Sequence, residues 1–100
     1  MDRDTAVAII KRHQEELKAL GVVSLSLFGS TARNEAARNS DIEVAVRLEP
    51  IKGGFAYFGR LDDIERRLSE ILGSPVDVIA EPAVRPHIQK EIDQDRCLAF

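Results

Sequence analysis

Two hydrophobic periodicities alternate along the 100 residues and predict an α/β protein with a sheet of three to four strands. Apolar residues recur every three to four positions in 4–20 and 55–72, which is typical of amphipathic helices. Apolar and polar residues alternate in 41–48, which is typical of a half-buried strand. A chain of this length is expected to fold as one domain over residues 1–100.

The first element is predicted to be a helix from Asp4 to Leu20. Asp2 or Asp4 can cap its first turn, because a carboxylate accepts hydrogen bonds from free amide groups. Gly21 follows the last turn, a position where glycine commonly ends helices. The expected core face consists of Ala6, Val7, Ile9, Ile10, Leu17 and Leu20.

A strand is predicted from Val22 to Phe28, followed by a short helix over Thr31–Ala37. The alternation in the strand sets two faces, of which the one with Leu25 and Leu27 is expected to face the core. The two faces are Val23, Leu25 and Leu27 on one side, and Ser24, Ser26 and Phe28 on the other.

The segment Ser40–Glu43 fits two structures. Ser-x-x-Glu matches a helix capping box. However, the residues from Asp41 to Leu48 are rich in β-branched side chains and have period two, which favours a strand. Pro50 then ends the element.

The second half of the chain predicts one long helix, one strand, one short helix and an edge strand. Glycine and proline residues separate these segments. In order, they are a loop at Gly53-Gly54, a helix over Phe55–Leu72, a strand over Val76–Ala80, a helix over Pro86–Gln94 and an edge strand over Cys97–Phe100.

Asp41 and Glu43 fall on the same face of the predicted second strand. Residues i and i+2 of a strand lie roughly 6.6 Å apart, and like charges this close repel unless a cation lies between them. The pair therefore predicts a metal site. Asp77 is either an exposed residue of the third strand or, if that strand neighbours Asp41's strand, a third carboxylate of the site.

Gly29-Ser30 lies between the first strand and the predicted helix, and predicts an anion site. The free amide groups and the dipole of a helix that opens after Ser30 would attract a phosphate. Gly29 allows close backbone approach, and Arg33 could add a cation. The alternative is a plain turn, with Arg33 solvated.

Composition excludes some function classes. The net charge is −3, which argues against duplex nucleic acid as the main partner. The single cysteine, Cys97, allows no internal disulfide, and a cytoplasmic protein is expected. The first 16 residues contain only a short apolar run between charges, so we expect neither a signal peptide nor a membrane span.

The combined motif resembles that of minimal nucleotidyltransferases in the DNA polymerase β-like superfamily. Gly29-Ser30 with Ala32-Arg33, followed by Ser40-Asp41-Ile42-Glu43, is similar to the family signature G-S-x-A-R-G…S-D-I-D. Asp77 matches the third acidic position. Two residues depart from the family pattern: Asn34 stands where glycine is usual, and Glu43 stands where aspartate is usual.

The resemblance implies a mixed sheet with helices on one side, and a first and second strand that are antiparallel. It implies that Mg²⁺ is held by Asp41, Glu43 and Asp77. It also implies that a nucleoside triphosphate, expected to be ATP, is bound by Gly29, Ser30, Arg33 and Ser40.

Members of this size resemble antitoxins that transfer AMP to a tyrosine of a HEPN ribonuclease toxin, with which a hetero-oligomer is expected. The alternative is a catalytically weak nucleotide-binding module that neutralises or scaffolds a partner protein. Transfer to RNA or to a small molecule is a third reading, which the acidic charge and the lack of a separate substrate-binding domain disfavour.

Overall fold

The computed structural model describes residues 1–36, 40–50 and 54–100. Helices and strands alternate through most of the chain, as the two periodicities predict. The elements are α1 (Arg3–Arg12), α2 (Gln14–Ala19), β1 (Val22–Phe28), α3 (Gly29–Ala32), β2 (Ile42–Leu48), α4 (Gly54–Leu72), β3 (Val76–Ala80), α5 (Pro86–Asp95) and β4 (Cys97–Leu98).

The four strands form one mixed sheet in the order β3-β2-β1-β4. β1 is antiparallel to both β2 and β4, and β2 is parallel to β3. The predictions of a mixed sheet, of an antiparallel first pair and of an edge strand near Cys97 are confirmed. Since β1 ends where β2 and β3 begin, the residues that follow β1 meet the first residues of β2 and β3 at one edge.

A bulge in β1 changes which valine enters the core. Val22 lies opposite Leu48, but Ser24 lies opposite Arg47, so Val23 is an extra residue in β1. Val22 is consequently buried, whereas Val23 is 54% exposed. The prediction that Val23 shares the face of Leu25 is therefore wrong, because simple alternation does not hold across a bulge.

The predicted helix 4–20 is divided at His13. The amide of His13 donates to the carbonyl of Ile10, three residues back, at 3.0 Å. This tighter turn ends α1, and the carbonyl of His13 starts α2 by accepting from Leu17 at 3.0 Å. Asp2 caps α1 by accepting from the amide of Thr5 at 2.7 Å.

The main core lies between one face of the sheet and helices α1, α2 and α4. A smaller core lies on the opposite face beneath α5, so the structure adds one helix to the side that the family resemblance left bare. The smaller core consists of Phe28, Ala45 and Ile92. The main core consists of Ala6, Ile10, Leu17, Val22, Leu25, Leu27, Ala32, Ile42, Val44, Val46, Ile64, Leu68, Leu72, Val76 and Ala99.

Helix α4 begins one residue earlier than predicted, at Gly54, so Gly54 is helical rather than part of a loop. Gly53, the other half of that predicted loop, lies outside the described residues. Within the described part of the chain, none of the helices combines the length and the apolar character that a bilayer span requires.

Candidate active site

The predicted carboxylates meet at the edge where β1 ends and β2 and β3 begin. Glu43 of β2 lies in register with Phe28 of β1 on one side and with Asp77 of β3 on the other. Adjacent strands are about 4.8 Å apart, so Glu43 and Asp77 are direct neighbours. Asp41 lies two residues before Glu43, directly before the first residue of β2. The strand of Asp77 lies beside β2. This is the arrangement under which the sequence analysis expected Asp77 to be a third carboxylate of the site.

Glu43 is half-buried, whereas Asp41 and Asp77 are exposed. Burial raises the pKa of the Glu43 carboxyl above its usual value. The negative charges of Glu91, Asp77 and Asp41 raise this pKa further, and Arg33 opposes them. The site is thus a patch of mutually repelling carboxylates, to which α5 adds Glu91.

The donor set fits Mg²⁺, although it does not form a closed cage. Among residues 1–36, 40–50 and 54–100, no three His, Cys, Asp or Glu side chains already converge on a metal position. Mg²⁺ is usually held by one or two carboxylates together with water and substrate phosphates. Adjacent carboxylates on β2 and β3 suit that mode of binding. The assignment of Asp41, Glu43 and Asp77 as ligands stays a prediction.

The helix after β1 is shorter than predicted and begins earlier. It covers Gly29–Ala32, so the prediction of Thr31–Ala37 is wrong over the described residues, and Ala37 lies outside them. The chain bends at Gly29, whose φ of +75° favours glycine. Since four residues form a single turn, the dipole argument for an anion site loses its basis. What remains of that argument is the absence of a side chain at Gly29, which is itself buried, and the half-buried Ser30 beside it.

Gly29 lies directly against the side chain of Glu43. A Cβ atom built on Gly29 would overlap the Oε2 atom of Glu43 and would lie 2.9 Å from its Cδ. Position 29 therefore favours glycine for its backbone angle, and any larger residue would also have to displace the end of the Glu43 side chain.

The backbone conformation at position 34 explains one of the two departures from the family motif, which is asparagine in place of glycine. Its φ is +61°, a left-handed conformation that asparagine adopts more readily than most residues other than glycine. Its side chain also accepts a hydrogen bond from the amide of Arg3 at 3.2 Å. Asparagine can therefore replace glycine here without a change of backbone.

Arg33 is held by two carboxylates rather than extending alone into solvent. It donates to Asp95 of α5 at 2.6 Å and to Glu35 at 3.1 Å. The sequence analysis did not identify Asp95 or Glu91. Both follow the inward-facing Ile88 and Ile92 by three residues, a spacing that places them at the rim of the helix face in contact with the sheet.

The remaining predicted site residues lie close in the chain to the carboxylates and to Gly29. Ser30 follows Gly29 and Ser40 precedes Asp41, and both serines are half-buried. Thr31, which the sequence analysis did not single out, is 1% exposed, and its hydroxyl has no hydrogen-bond partner in the described part of the chain.

An apolar groove of about 400 Å³ opens at the other end of β3. Its lining includes Leu61, Val78, Pro82 and Ile88. It contains none of the predicted site residues.

Residues 10–98 match the family model described as a nucleotidyltransferase domain. A putative protein adenylyltransferase of Methanocaldococcus jannaschii is 35% identical over 89 residues, which cover 87% of each chain. The solved structure of a putative minimal nucleotidyltransferase is similar, with a TM-score of 0.78, 25% identity, and 97% and 95% of the two chains covered.

A more distant structural likeness joins this chain to a toxin–antitoxin complex. That structure contains a tri-AMPylated HEPN toxin of Shewanella oneidensis with an MNT antitoxin. The TM-score is 0.63 at 15% identity, with 94% of this chain and 71% of the other covered, so the likeness is one of fold.

Proposed function

The chain belongs to the nucleotidyltransferase domain family, and from this premise we propose that it transfers AMP from ATP to a hydroxyl group of a partner protein. The observation that carries the proposal is the register that places Glu43 beside Asp77 at the edge where β1 ends before Gly29. Carboxylates for a cation and the Gly29-Ser30 turn thus share one edge of the sheet.

Asp41, Glu43 and Asp77 would hold Mg²⁺, with one or two of these carboxylates and the phosphates of the nucleotide as ligands. When bound, Mg²⁺ neutralises charge that develops on the phosphates. Without a cation, the negative charge of these three side chains would repel the phosphates of the nucleotide.

Gly29, Ser30 and Ser40 would seat the phosphates, Gly29 by close backbone approach and the serines through their hydroxyl groups. Arg33 would add a positive charge once it exchanges Asp95, now 2.6 Å away, for a phosphate oxygen. The acceptor oxygen attacks the α-phosphorus, the bond from that phosphorus to the β-phosphate bridging oxygen breaks, and pyrophosphate leaves. Asp77 takes the proton of the acceptor hydroxyl.

The proposed acceptor is a HEPN-type toxin, which makes this chain the antitoxin of a hetero-oligomeric pair. Support comes from the similar chain named as an adenylyltransferase and from the fold shared with the Shewanella oneidensis complex. The proposal treats residues 1–100 as one catalytic domain, because the site is assembled from strands in both halves of the chain. A cytoplasmic location is part of the proposal.

A second candidate function is a nucleotide-binding module that neutralises its partner by direct binding. Two observations favour it: Glu43 lies over the Gly29 backbone, and Arg33 is engaged by Asp95. Both would have to move before a triphosphate could bind productively.

Incubation with each radiolabelled nucleoside triphosphate, Mg²⁺ and the protein encoded beside this chain tests the proposal. We expect label on the partner protein with α-labelled ATP and none with γ-labelled ATP. The control variant is Asp63→Asn, which should transfer label like wild type, because Asp63 is an exposed carboxylate of α4 that lines none of the site. Formation of a stable complex without label transfer would favour the binding module.

A further inference from the structure

The side chain of Glu43 occupies the space that the missing side chain of Gly29 leaves free. The contact is close enough that a single methyl group at position 29 would collide with the Oε2 atom of Glu43. The Gly29 backbone, buried in this structure, is also where the proposed function seats a phosphate. A phosphate and the Glu43 carboxylate are both anionic, so the two cannot share this space.

The length of glutamate makes this contact. Glu43 lies in register with Phe28, the residue before Gly29, and the φ of +75° at Gly29 turns the chain directly after that pair. Aspartate carries its carboxylate one carbon–carbon bond, about 1.5 Å, closer to its own backbone. An aspartate at position 43 would therefore reach less far over Gly29, although the Cβ atom of residue 43, 3.6 Å from a Cβ atom built on Gly29, would still border it.

Few interactions stabilise the Glu43 carboxylate in this position. It is half-buried, and no ion pair reaches it from the described residues. Asp77 lies beside it on the neighbouring strand, which adds like-charge repulsion. A cation between Glu43, Asp77 and Asp41 would draw the carboxylate away from Gly29 and remove the repulsion in one movement.

We propose that Glu43 is a specificity-determining residue that closes the Gly29 phosphate seat against metal-free triphosphates and opens it when Glu43 turns to share a cation with Asp41 and Asp77. This inference rests on the proposed function. It goes beyond that function because it assigns the order of events: the cation binds before or together with the nucleotide, and free triphosphate is rejected.

Charge repulsion without any closure is the competing explanation, and two variants separate the explanations. Glu43→Asp keeps the charge and shortens the side chain. Asp41→Asn removes a charge from the same patch and leaves the contact between Glu43 and Gly29 untouched. If coverage of Gly29 by Glu43 is what weakens the binding of metal-free triphosphate, Glu43→Asp improves that binding more than Asp41→Asn does. If charge repulsion alone weakens it, Asp41→Asn gives the larger improvement.

The experiment is calorimetric titration of the full chain with ATP, first in EDTA and then in Mg²⁺. In EDTA, we expect Glu43→Asp to bind about tenfold tighter than wild type, which corresponds to about 1.4 kcal/mol. In Mg²⁺, we expect the two proteins to bind ATP alike. Equal affinities of the two proteins in EDTA, or a larger gain for Asp41→Asn, would overturn the inference.

A folding measurement checks the contact without any ligand. Gly29→Ala destabilises the fold because the added methyl group displaces Glu43 and because alanine disfavours a positive φ. The displacement part of this cost should fall in the Glu43→Asp background, so the two substitutions should be non-additive in chemical denaturation. Additive costs would show that Glu43 does not lie on Gly29 in solution and would overturn the inference.

Failure of the inference is distinguishable from failure of the proposed function. Wild-type binding of Mg²⁺-ATP together with unchanged EDTA binding of Glu43→Asp contradicts only the inference. An absence of ATP binding by wild type in Mg²⁺ contradicts both.

Discussion

The sheet face that α5 covers carries a charged cluster at each end, and the two clusters differ in how their charges are compensated. We call Asp41, Glu43 and Asp77 the near cluster. We call Glu81, Arg47 and Arg96 the far cluster. Each cluster combines residues of β2 with residues in or directly after β3, and both lie beside α5.

In the far cluster, a buried carboxylate is fully paired. The side chain of Glu81 is 3% exposed and accepts hydrogen bonds from Arg96 at 2.6 Å and from Arg47 at 3.1 Å. Burial alone would raise the pKa of Glu81, but the two arginines outweigh it and hold the pKa below its usual value. Arg96 also donates to Ser26 at 3.2 Å, which ties the end of α5 to β1.

In the near cluster, by contrast, the carboxylates repel one another. No ion pair reaches Asp41, Glu43 or Asp77 from residues 1–36, 40–50 and 54–100. The pKa of Glu43 is raised where that of Glu81 is lowered. Two arginines therefore compensate the carboxylate at one end of the face, whereas the carboxylates at the other end keep charge available for a ligand.

Asp41→Ala should have the largest effect, and on transfer rather than on stability. Loss of one electrostatic stabiliser of a transition state costs roughly two to three powers of ten in rate. Asp41 is exposed and its removal relieves repulsion, so the variant should melt no lower than wild type. Transfer of labelled AMP and thermal unfolding measure the two effects. A variant that stays active, or that unfolds, would contradict the placement of Asp41 in the near cluster.

Glu81→Ala should have the opposite profile. It leaves Arg96 and Arg47 without their buried partner, and we expect a loss of about 1–3 kcal/mol in the free energy of unfolding. The rate of AMP transfer per folded molecule should not change. Urea denaturation gives the stability. The matched control is Glu70→Ala, whose ion pair with Arg67 is solvent-exposed and should be worth less than about 1 kcal/mol. Equal losses in the two variants would mean that burial of Glu81 adds nothing.

Thr31→Val tests whether a second uncompensated polar group lies at the end of the sheet face that carries the near cluster. Thr31 lies in α3, beside that cluster. The buried hydroxyl of Thr31 lacks a partner among the described residues, and valine has nearly the same shape. We expect a gain of about 1 kcal/mol in the free energy of unfolding, since the cost of burying an unpaired hydroxyl disappears. Thr31→Ser is the control that keeps the hydroxyl. A loss of stability in Thr31→Val would mean that the hydroxyl is paired in solution.

Glu43→Gln should have the smallest effect on stability, with a characteristic pH dependence. Because the pKa of Glu43 is raised in the folded state, the folded protein holds more protons than the unfolded chain between the ordinary carboxyl value of 4.5 and the raised value. Wild type therefore loses stability as the pH rises through this window. Glu43→Gln should melt higher than wild type at neutral pH, and the gap should close on acidification below the window.

Glu81→Gln provides the reverse case for the same pH series. The pKa of Glu81 is lowered on folding, so its stabilising effect is complete above the ordinary carboxyl value of 4.5 and is lost as the pH falls through the lowered value. This variant should melt lower than wild type at neutral pH and approach it in acid. Parallel pH profiles for the two variants would refute the contrast between the clusters.

The sequence by itself predicted most of the elements and proposed the residues of the candidate site. The alternation from Ile42 to Leu48 predicted β2 against a competing capping-box match, because β-branched side chains with period two suit a pleated strand. The periodicity of α4 and the proline that opens α5 were equally informative. The spacing of Gly29-Ser30, Asp41-x-Glu43 and Asp77 predicted the family, which the matching family model confirms.

Only the tertiary structure decided what depends on pairing between distant residues. Whether Asp77 joins Glu43 depends on the parallel register of β3. The bulge at Val23 arises from pairing with β2, and the partner of Arg33 comes from α5, which lies 62 residues away in the chain. The contact of Glu43 with Gly29 depends on a backbone turn and on one side-chain conformation. Local sequence patterns report the preferences of neighbouring residues, whereas these four features are set by which strands and helices pack together.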